Sequence, residues 1–253
     1  MAKLSLVAVE GMPLIVSGDN VAALIIAAGA QPPPGPGDVI VVAQKIVSKA
    51  EGQLVKLSDV TPSPAALALA SEAEKDPRLV ELILSQSRQV IRVRPGVIIV
   101  EHKQGTILAN AGIDTSNIYQ AEDDAAVLLW PEDPDASAQR LSTALAAHFG
   151  FPIPVIISDS IGRAWRLGTI GHAIGCAGLD PLWNQAGQQD LMGNTLRVTE
   201  PATADALAAA AALVQGEANE GLPVVWIKGC SVKSHSPRPA TALLRDPAMD
   251  MFR

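Results

Sequence analysis

Short apolar runs alternate with alanine-rich stretches along this chain. Leu4–Val9 and Val39–Ala43 are rich in β-branched residues and bounded by Gly or Pro, the pattern of strands. Between them, Asn20–Ala30 predicts a helix, with Asp19 or Asn20 placed to cap its start and Gly29 near its end. The Gln31–Asp38 segment, QPPPGPGD, is a stiff surface connector that no helix can cross. Pro64–Glu74 and Pro77–Gln86 predict a helical pair broken at Pro77. Val90–Val93 and Val97–Glu101 flank an Arg-Pro-Gly turn and predict a hairpin. Ser137–His148 predicts a helix whose PEDPDAS start supplies carboxylates and a cap, and which Gly150 stops. Pro154–Ser158 reads as a buried strand, Thr203–Val214 as a helix ending at Gly216, and Pro223–Lys228 as a last strand. Ser234–Pro239 has little capacity for regular structure, and Ala240–Arg245 predicts a short helix. No internal repeat is visible, and the mixture predicts an α+β (mixed α/β) enzyme-like chain rather than a bundle.

Composition narrows the class. The 253 residues suit one large domain or two small ones, and 48% hydrophobic against 18% charged residues excludes a disordered chain. Aromatic residues are only 3%, so the core is expected to be aliphatic. A net charge of −7 argues against a nucleic-acid partner, though not against a nucleotide, which needs only a local cationic pocket. Cys176 and Cys230 form no CxxC pair and no disulfide framework, which fits a reducing compartment. No signal peptide or membrane span is evident, so a soluble cytoplasmic protein without membrane partners is expected.

The standard catalytic motifs are missing: no P-loop, no GxGxxG after a strand, no HExxH and no GxSxG. His102, His148, His172 and His235 share no metal-ligand spacing. Asp114, Asp159 and Glu217 each sit where an apolar run or helix gives way to a loop. An Asp in such a place is most often a cap. Three together, with the Ser160 hydroxyl beside Asp159, suit a hard cation such as Mg²⁺ or Mn²⁺. Lys45 and Lys49 share a face whether they lie on a helix or a strand, and an anion such as a polyphosphate would relieve their repulsion. A solvated lysine face is the commoner arrangement, and Glu51 is a nearby pairing partner. Asn117, Asn194 and Asn219 suit turn closure or ligand contact. Gly168, Gly171, Gly175 and Gly178 suggest close backbone packing in an irregular region. The residues alone thus point to an intracellular enzyme acting on phosphorylated substrates with a divalent cation.

Longer motifs add more: GDVIVVAQKIVSKAEG, AGIDTSN, LLWPEDPDASA, ISDSIGRAWRLG, AIGCAGLDPL and GNTLRVTEPATADALAAAAALVQGEANEGLPVV. Together they resemble the coenzyme F420-0:L-glutamate ligase (F420 γ-glutamyl ligase) family over about nine-tenths of the chain. The resemblance implies a two-domain fold without a P-loop, with residues 1–233 as two intertwined subdomains and 234–253 as a tail. It implies a homodimer, a stand-alone ligase, and GTP-dependent joining of L-glutamate to F420-0 through an acyl phosphate. Carried over by motif, Asp114, Asp159, Ser160 and Glu217 would hold Mg²⁺ or Mn²⁺, two ions in all. Gly11, Met12, Pro13, Leu14, Gln44, Lys45, Lys49 and Asn117 would line the GTP site. So would the loop of Gln215, Gly216, Glu217, Ala218, Asn219, Glu220, Gly221 and Leu222. Arg163 and Arg166 are candidate contacts for anionic substrate groups. Relatives usually carry Thr where this chain has Ser160, an acid where it has Leu14, and Gln or Lys where it has Glu217. A Mg²⁺-dependent phosphohydrolase or phosphotransferase, or a non-catalytic nucleotide- or F420-binding protein, are the alternatives.

Overall fold

The computed structural model describes residues 3–118, 125–230, 232 and 236–251. Its strands are β1 (Ser5–Ala8), β2 (Val39–Ala43), β3 (Leu54–Lys56), β4 (Ser87–Arg94), β5 (Val97–His102), β6 (Ile107–Ala109), β7 (Ala126–Leu128), β8 (Val155–Arg163), β9 (Arg166–Ala177) and β10 (Val224–Lys228). Its helices are α1 (Val21–Ala28), α2 (Gln44–Ala50), α3 (Pro64–Ala73), α4 (Pro77–Ser85), α5 (Pro134–Phe149) and α6 (Thr203–Gln215). Helices and mixed sheets together make the expected α+β fold. Among the described residues, no helix is long and apolar enough to cross a membrane.

A five-stranded sheet in the order β1-β10-β2-β8-β9 forms the centre, and only β2 and β8 run parallel in it. Strand β2 is apolar throughout because both its faces are covered. Ile40 and Val42 enter a cluster with Ile25 of α1 and Leu141 and Leu145 of α5. Val39 and Val41 enter a second cluster with Leu207, Ala208 and Ala211 of α6 on the opposite face. A second layer holds the three-stranded sheet β4-β5-β6, with α3 and α4 packed on it through Ala66, Ala70, Val80 and Ile83. Strands β3 and β7 form a separate antiparallel pair.

Local chemistry sets the helix ends. The Asn20 side chain accepts from the Ala23 N–H at 3.0 Å, and Gly29 ends α1. The Asp133 carboxylate accepts from the Ala136 N–H at 2.9 Å, Pro134 opens α5, and Gly150 closes it in the left-handed region. Gly216 ends α6.

Two expectations change. The strand predicted to stop at Ser158 continues to Arg163, so Asp159 lies within a strand rather than beyond it. The glycine-rich stretch is not irregular: Gly168, Gly171 and Gly175 lie in β9. The expected close packing is present. A Cβ on Gly171 would stand 2.5 Å from the Ala208 carbonyl oxygen of α6, and one on Gly175 would stand 2.5 Å from the Pro134 carbonyl carbon of α5. Ile157 pairs with Gly175 and Ser158 with Ala173, which leaves Ile174 as an extra, bulged residue. The bulge switches side-chain parity, so that Gly171 faces α6 while Gly175 faces α5.

Candidate active site

The parallel pair β2 and β8 ends beside a cleft of about 580 Å³, and the carboxyl ends of parallel strands are the usual place for ligands in α/β sheets. Helix α2 follows β2 without a break, and its register settles the lysine question. Lys45 and Lys49 lie one turn apart on its cleft face. Strand β8 supplies the acid. Along it Ile157, Asp159 and Ile161 alternate onto the α5 side, while Ser158 and Ser160 point toward α6.

The lysines hold one wall together. Lys45 Nζ lies 3.3 Å from Asp114 Oδ1 and donates to Ser116 Oγ at 2.9 Å. Lys49 Nζ donates to the Asn117 carbonyl at 2.7 Å. The Asn117 amide donates to the Ala218 carbonyl at 3.0 Å and so ties this wall to the loop after α6. Burial, and then the Lys45 charge, lower the pKa of Lys49. Gln44 is buried, and its amide donates to Ser48 Oγ at 2.6 Å and to the Leu129 carbonyl at 3.3 Å.

The carboxylates face these cations. Burial raises the pKa of Asp114 against the opposing pull of Lys45, and its Oδ2 is buried without a partner. Asp159 is pushed up to about 7, first by burial and then by the Asp114 charge. The Trp130 indole N–H and the Ser160 backbone N–H each donate to one of its oxygens, both at 2.8 Å. Ser160 Oγ donates to Glu217 Oε1 at 2.5 Å, and Glu220 Oε2 accepts from the Ala218 N–H at 2.9 Å.

Met12, Pro13, Leu14, Gln44, Lys45, Lys49, Asp114, Asn117, Asp159 and Ser160 all line this cleft, as do Gln215, Gly216, Glu217, Ala218, Asn219, Glu220, Gly221 and Leu222. Leu14 is 92% exposed and sits at the rim. Gly11 is exposed and falls outside the lining. Arg163 and Arg166 also stand outside it, as cross-strand partners at the turn of the β8–β9 hairpin, where Arg163 donates to the Leu167 carbonyl at 2.9 Å. Glu51 pairs with Arg140 at 2.6 Å rather than with a lysine, and Asn194 closes a turn against Asp190.

Motif reasoning passed over Ser116 and Trp130. A tryptophan in a chain with so few aromatic residues, immediately before a capped helix, was the available signal.

The donor set fits a hard cation. Among the described residues no three His, Cys, Asp or Glu side chains converge into a metal cage. The Asp114 and Asp159 carboxylates line one cleft, and with the unpartnered Asp114 Oδ2 and the Ser160 hydroxyl they are oxygens of the kind that Mg²⁺ or Mn²⁺ takes from protein when phosphate and water complete its shell.

The profile of the family described as F420-0:Gamma-glutamyl ligase matches residues 11–229. The coenzyme F420:L-glutamate ligase of Methanothermobacter thermautotrophicus is 46% identical over 253 residues, covering 99% of each chain. That of Methanopyrus kandleri is 40% identical over 259 residues, covering 100% of each chain. That of Methanocaldococcus jannaschii is 39% identical over 96% of this chain and 94% of its own. With a profile match over most of its length and full-length relatives at this identity, the chain belongs to the F420-0:gamma-glutamyl ligase family.

Proposed function

We propose that this chain joins L-glutamate to coenzyme F420-0 through a GTP-dependent amide ligation, adding further γ-linked glutamates to the same end. Full-length identity to proteins named coenzyme F420:L-glutamate ligase supports the ligation itself. The observation that carries the phosphoryl-transfer half is the meeting of Lys45 and Lys49 with the Asp114–Asp159 pair in one cleft.

In this reading a carboxylate oxygen of F420-0 attacks the γ-phosphorus of GTP, and GDP leaves with the electrons of the broken P–O bond. The glutamate amine then attacks the acyl carbon, phosphate departs, and the nitrogen releases a proton. Lys45 and Lys49 neutralise phosphate charge and hold the donor in line. Met12 to Leu14 and the loop from Gln215 to Leu222 enclose the nucleotide and keep water from the acyl phosphate. Asp114, Asp159, Ser160 and Glu217 would hold the divalent cation, Mg²⁺ or Mn²⁺, which supplies charge neutralisation on the phosphate oxygens. The expected assembly is a homodimer, which light scattering on the purified protein checks.

Incubation with F420-0, L-glutamate, GTP and Mn²⁺ should give a product heavier by one or more glutamyl units, and none when GTP is omitted. GTP loss without glutamyl transfer would overturn ligation in favour of phosphohydrolysis. Binding without any turnover would leave a nucleotide- or F420-binding protein. Lys45→Met and Lys49→Met should each raise the KM for GTP about 10- to 100-fold, the worth of a hydrogen bond to a charged group. Steady-state kinetics at varied GTP would read this, and an unchanged KM would remove that lysine from the nucleotide site.

A further inference from the structure

Trp130 lies between the two segments that carry the cleft carboxylates. Its indole Nε1–H donates to Asp159 Oδ2 at 2.8 Å, while the Ser160 backbone N–H donates to Oδ1 at 2.8 Å, so both oxygens of Asp159 are aimed by the protein. The ring also covers the turn that leads to Asp114. A Cβ on Gly112 would stand 2.6 Å from Trp130 Cε2, and Gly112 has a φ of +66°, so glycine suits this turn twice over. Asp114 in turn exchanges backbone hydrogen bonds with Leu128 at 3.0 and 2.9 Å, and Leu128 lies just ahead of Trp130 in the chain.

The indole itself is held. Trp130 is 2% exposed, and the His102 ring packs against it with centroids 4.7 Å apart. The Gln104 backbone N–H donates to His102 Nδ1 at 3.1 Å, which fixes that ring in turn. One rigid aromatic body therefore touches the Asp159 carboxylate and the Gly112 turn before Asp114.

We propose that Trp130 is a positioning residue that sets the spacing and orientation of the Asp114 and Asp159 carboxylates, and through them the affinity of the cleft for a divalent cation. The proposal rests on the cation-binding part of the function argued above. The chemistry of the donor suits the task. An Arg or Lys in this place would neutralise Asp159 and compete with a cation. An indole N–H orients one oxygen and leaves the negative charge in place. Hydrogen bonds of this kind, made to a ligand rather than to the ion, commonly decide metal affinity.

The test is Mn²⁺ binding to the full chain without nucleotide or F420-0, followed by the electron paramagnetic resonance signal of free Mn²⁺. Trp130→Phe keeps an aromatic ring and removes the N–H. It should weaken Mn²⁺ binding about 10- to 100-fold. A merely structural role would lower the melting temperature and leave the affinity of the folded protein unchanged. Affinities of parent and variant within twofold would overturn the proposal while leaving the cation site standing. Failure of the parent to bind Mn²⁺ would overturn both.

A second measurement needs no Trp130 variant. The protein labelled with ¹⁵N-tryptophan should give four indole signals, from Trp130, Trp165, Trp183 and Trp226. Trp165→Phe and Trp183→Phe, both at accessible positions, identify two of them. Mg²⁺ should then move one of the two remaining buried signals, and two unmoved buried signals would count against the proposal.

Discussion

Asp159→Asn should stabilise the free protein above neutral pH and sharply lower its ligase activity. The stability half follows from the burial that lifts the Asp159 carboxyl to about 7 from its usual 3.8. Between those two pH values the folded chain holds a proton that the unfolded chain has released. That contribution to stability is complete below about 4 and is lost as pH rises through about 7. An ionised Asp159 close to Asp114 therefore opposes folding by a few kcal/mol at pH 8. Asparagine removes that charge. It also leaves one of the two N–H donors, from Trp130 or Ser160, without a carboxylate oxygen, which costs about 1 kcal/mol. The charge effect is the larger of the two, so the variant should melt higher than the parent at pH 8 and show a flatter pH profile. Some slope should persist, because burial raises the Asp114 pKa as well. Activity should move the other way, by on the order of 10³-fold, if the cation contributes several kcal/mol of charge stabilisation at the phosphoryl group. Melting curves in a chelator between pH 4 and 8, with product mass as the activity readout, test both halves. Parallel melting curves would remove the buried-carboxylate account, and retained turnover would remove Asp159 from the site.

Gly175→Ala should cost about 3 kcal/mol or more, the upper end of what overpacking does. The backbone of Gly175 is ordinary extended strand, so alanine meets no torsional penalty there. The cost is steric: the new methyl would stand 2.5 Å from the Pro134 carbonyl carbon and 2.8 Å from its Cβ. Neither neighbour is a free side-chain end. They belong to the first turn of α5, which the Asp133 cap fixes and which Asp135 Oδ1 ties to the Cys176 N–H at 2.8 Å, one residue from the substitution. Relief requires the helix to lift off the sheet. For a chain of this length the melting temperature should fall by roughly 6–12 °C. Gly168→Ala is the informative comparison. That site has open space apart from Arg163 Nη2 at 4.0 Å, but its φ of +84° disfavours a side chain, so a loss of roughly 1–2 kcal/mol is expected. Equal losses at the two positions would remove the helix-contact account.

Helix ends were legible where neighbouring residues satisfy the terminal backbone groups, as Asn20 and Gly29 do for α1 and Gly150 does for α5; the start of α5, read at Ser137, lies at Pro134 behind the Asp133 cap. Strand β2 was legible because burial on both faces makes it apolar throughout. Strands β8 and β9 beyond Ser158 were not. There serine, aspartate and glycine replace the apolar alternation, and they are tolerated because α5, α6 and the cleft press on them from outside. The residues gathered in the cleft were named from motif resemblance alone, and of those named, Gly11, Arg163 and Arg166 fall outside its lining. Lys45 and Lys49 were known to share a face, but only helix α2 turned that face toward Asp114.

Trp130 and Asp159 are far apart in sequence, and no local pattern links them; the packing of the indole between Gly112, His102 and β8 brings them to 2.8 Å. The raised Asp159 carboxyl has the same origin, in the exclusion of water and the nearness of Asp114. Hydrogen-bonding needs and side-chain periodicity act over a few residues and are therefore written along the chain. Distances between remote groups, and the dielectric around them, exist only once the elements have packed.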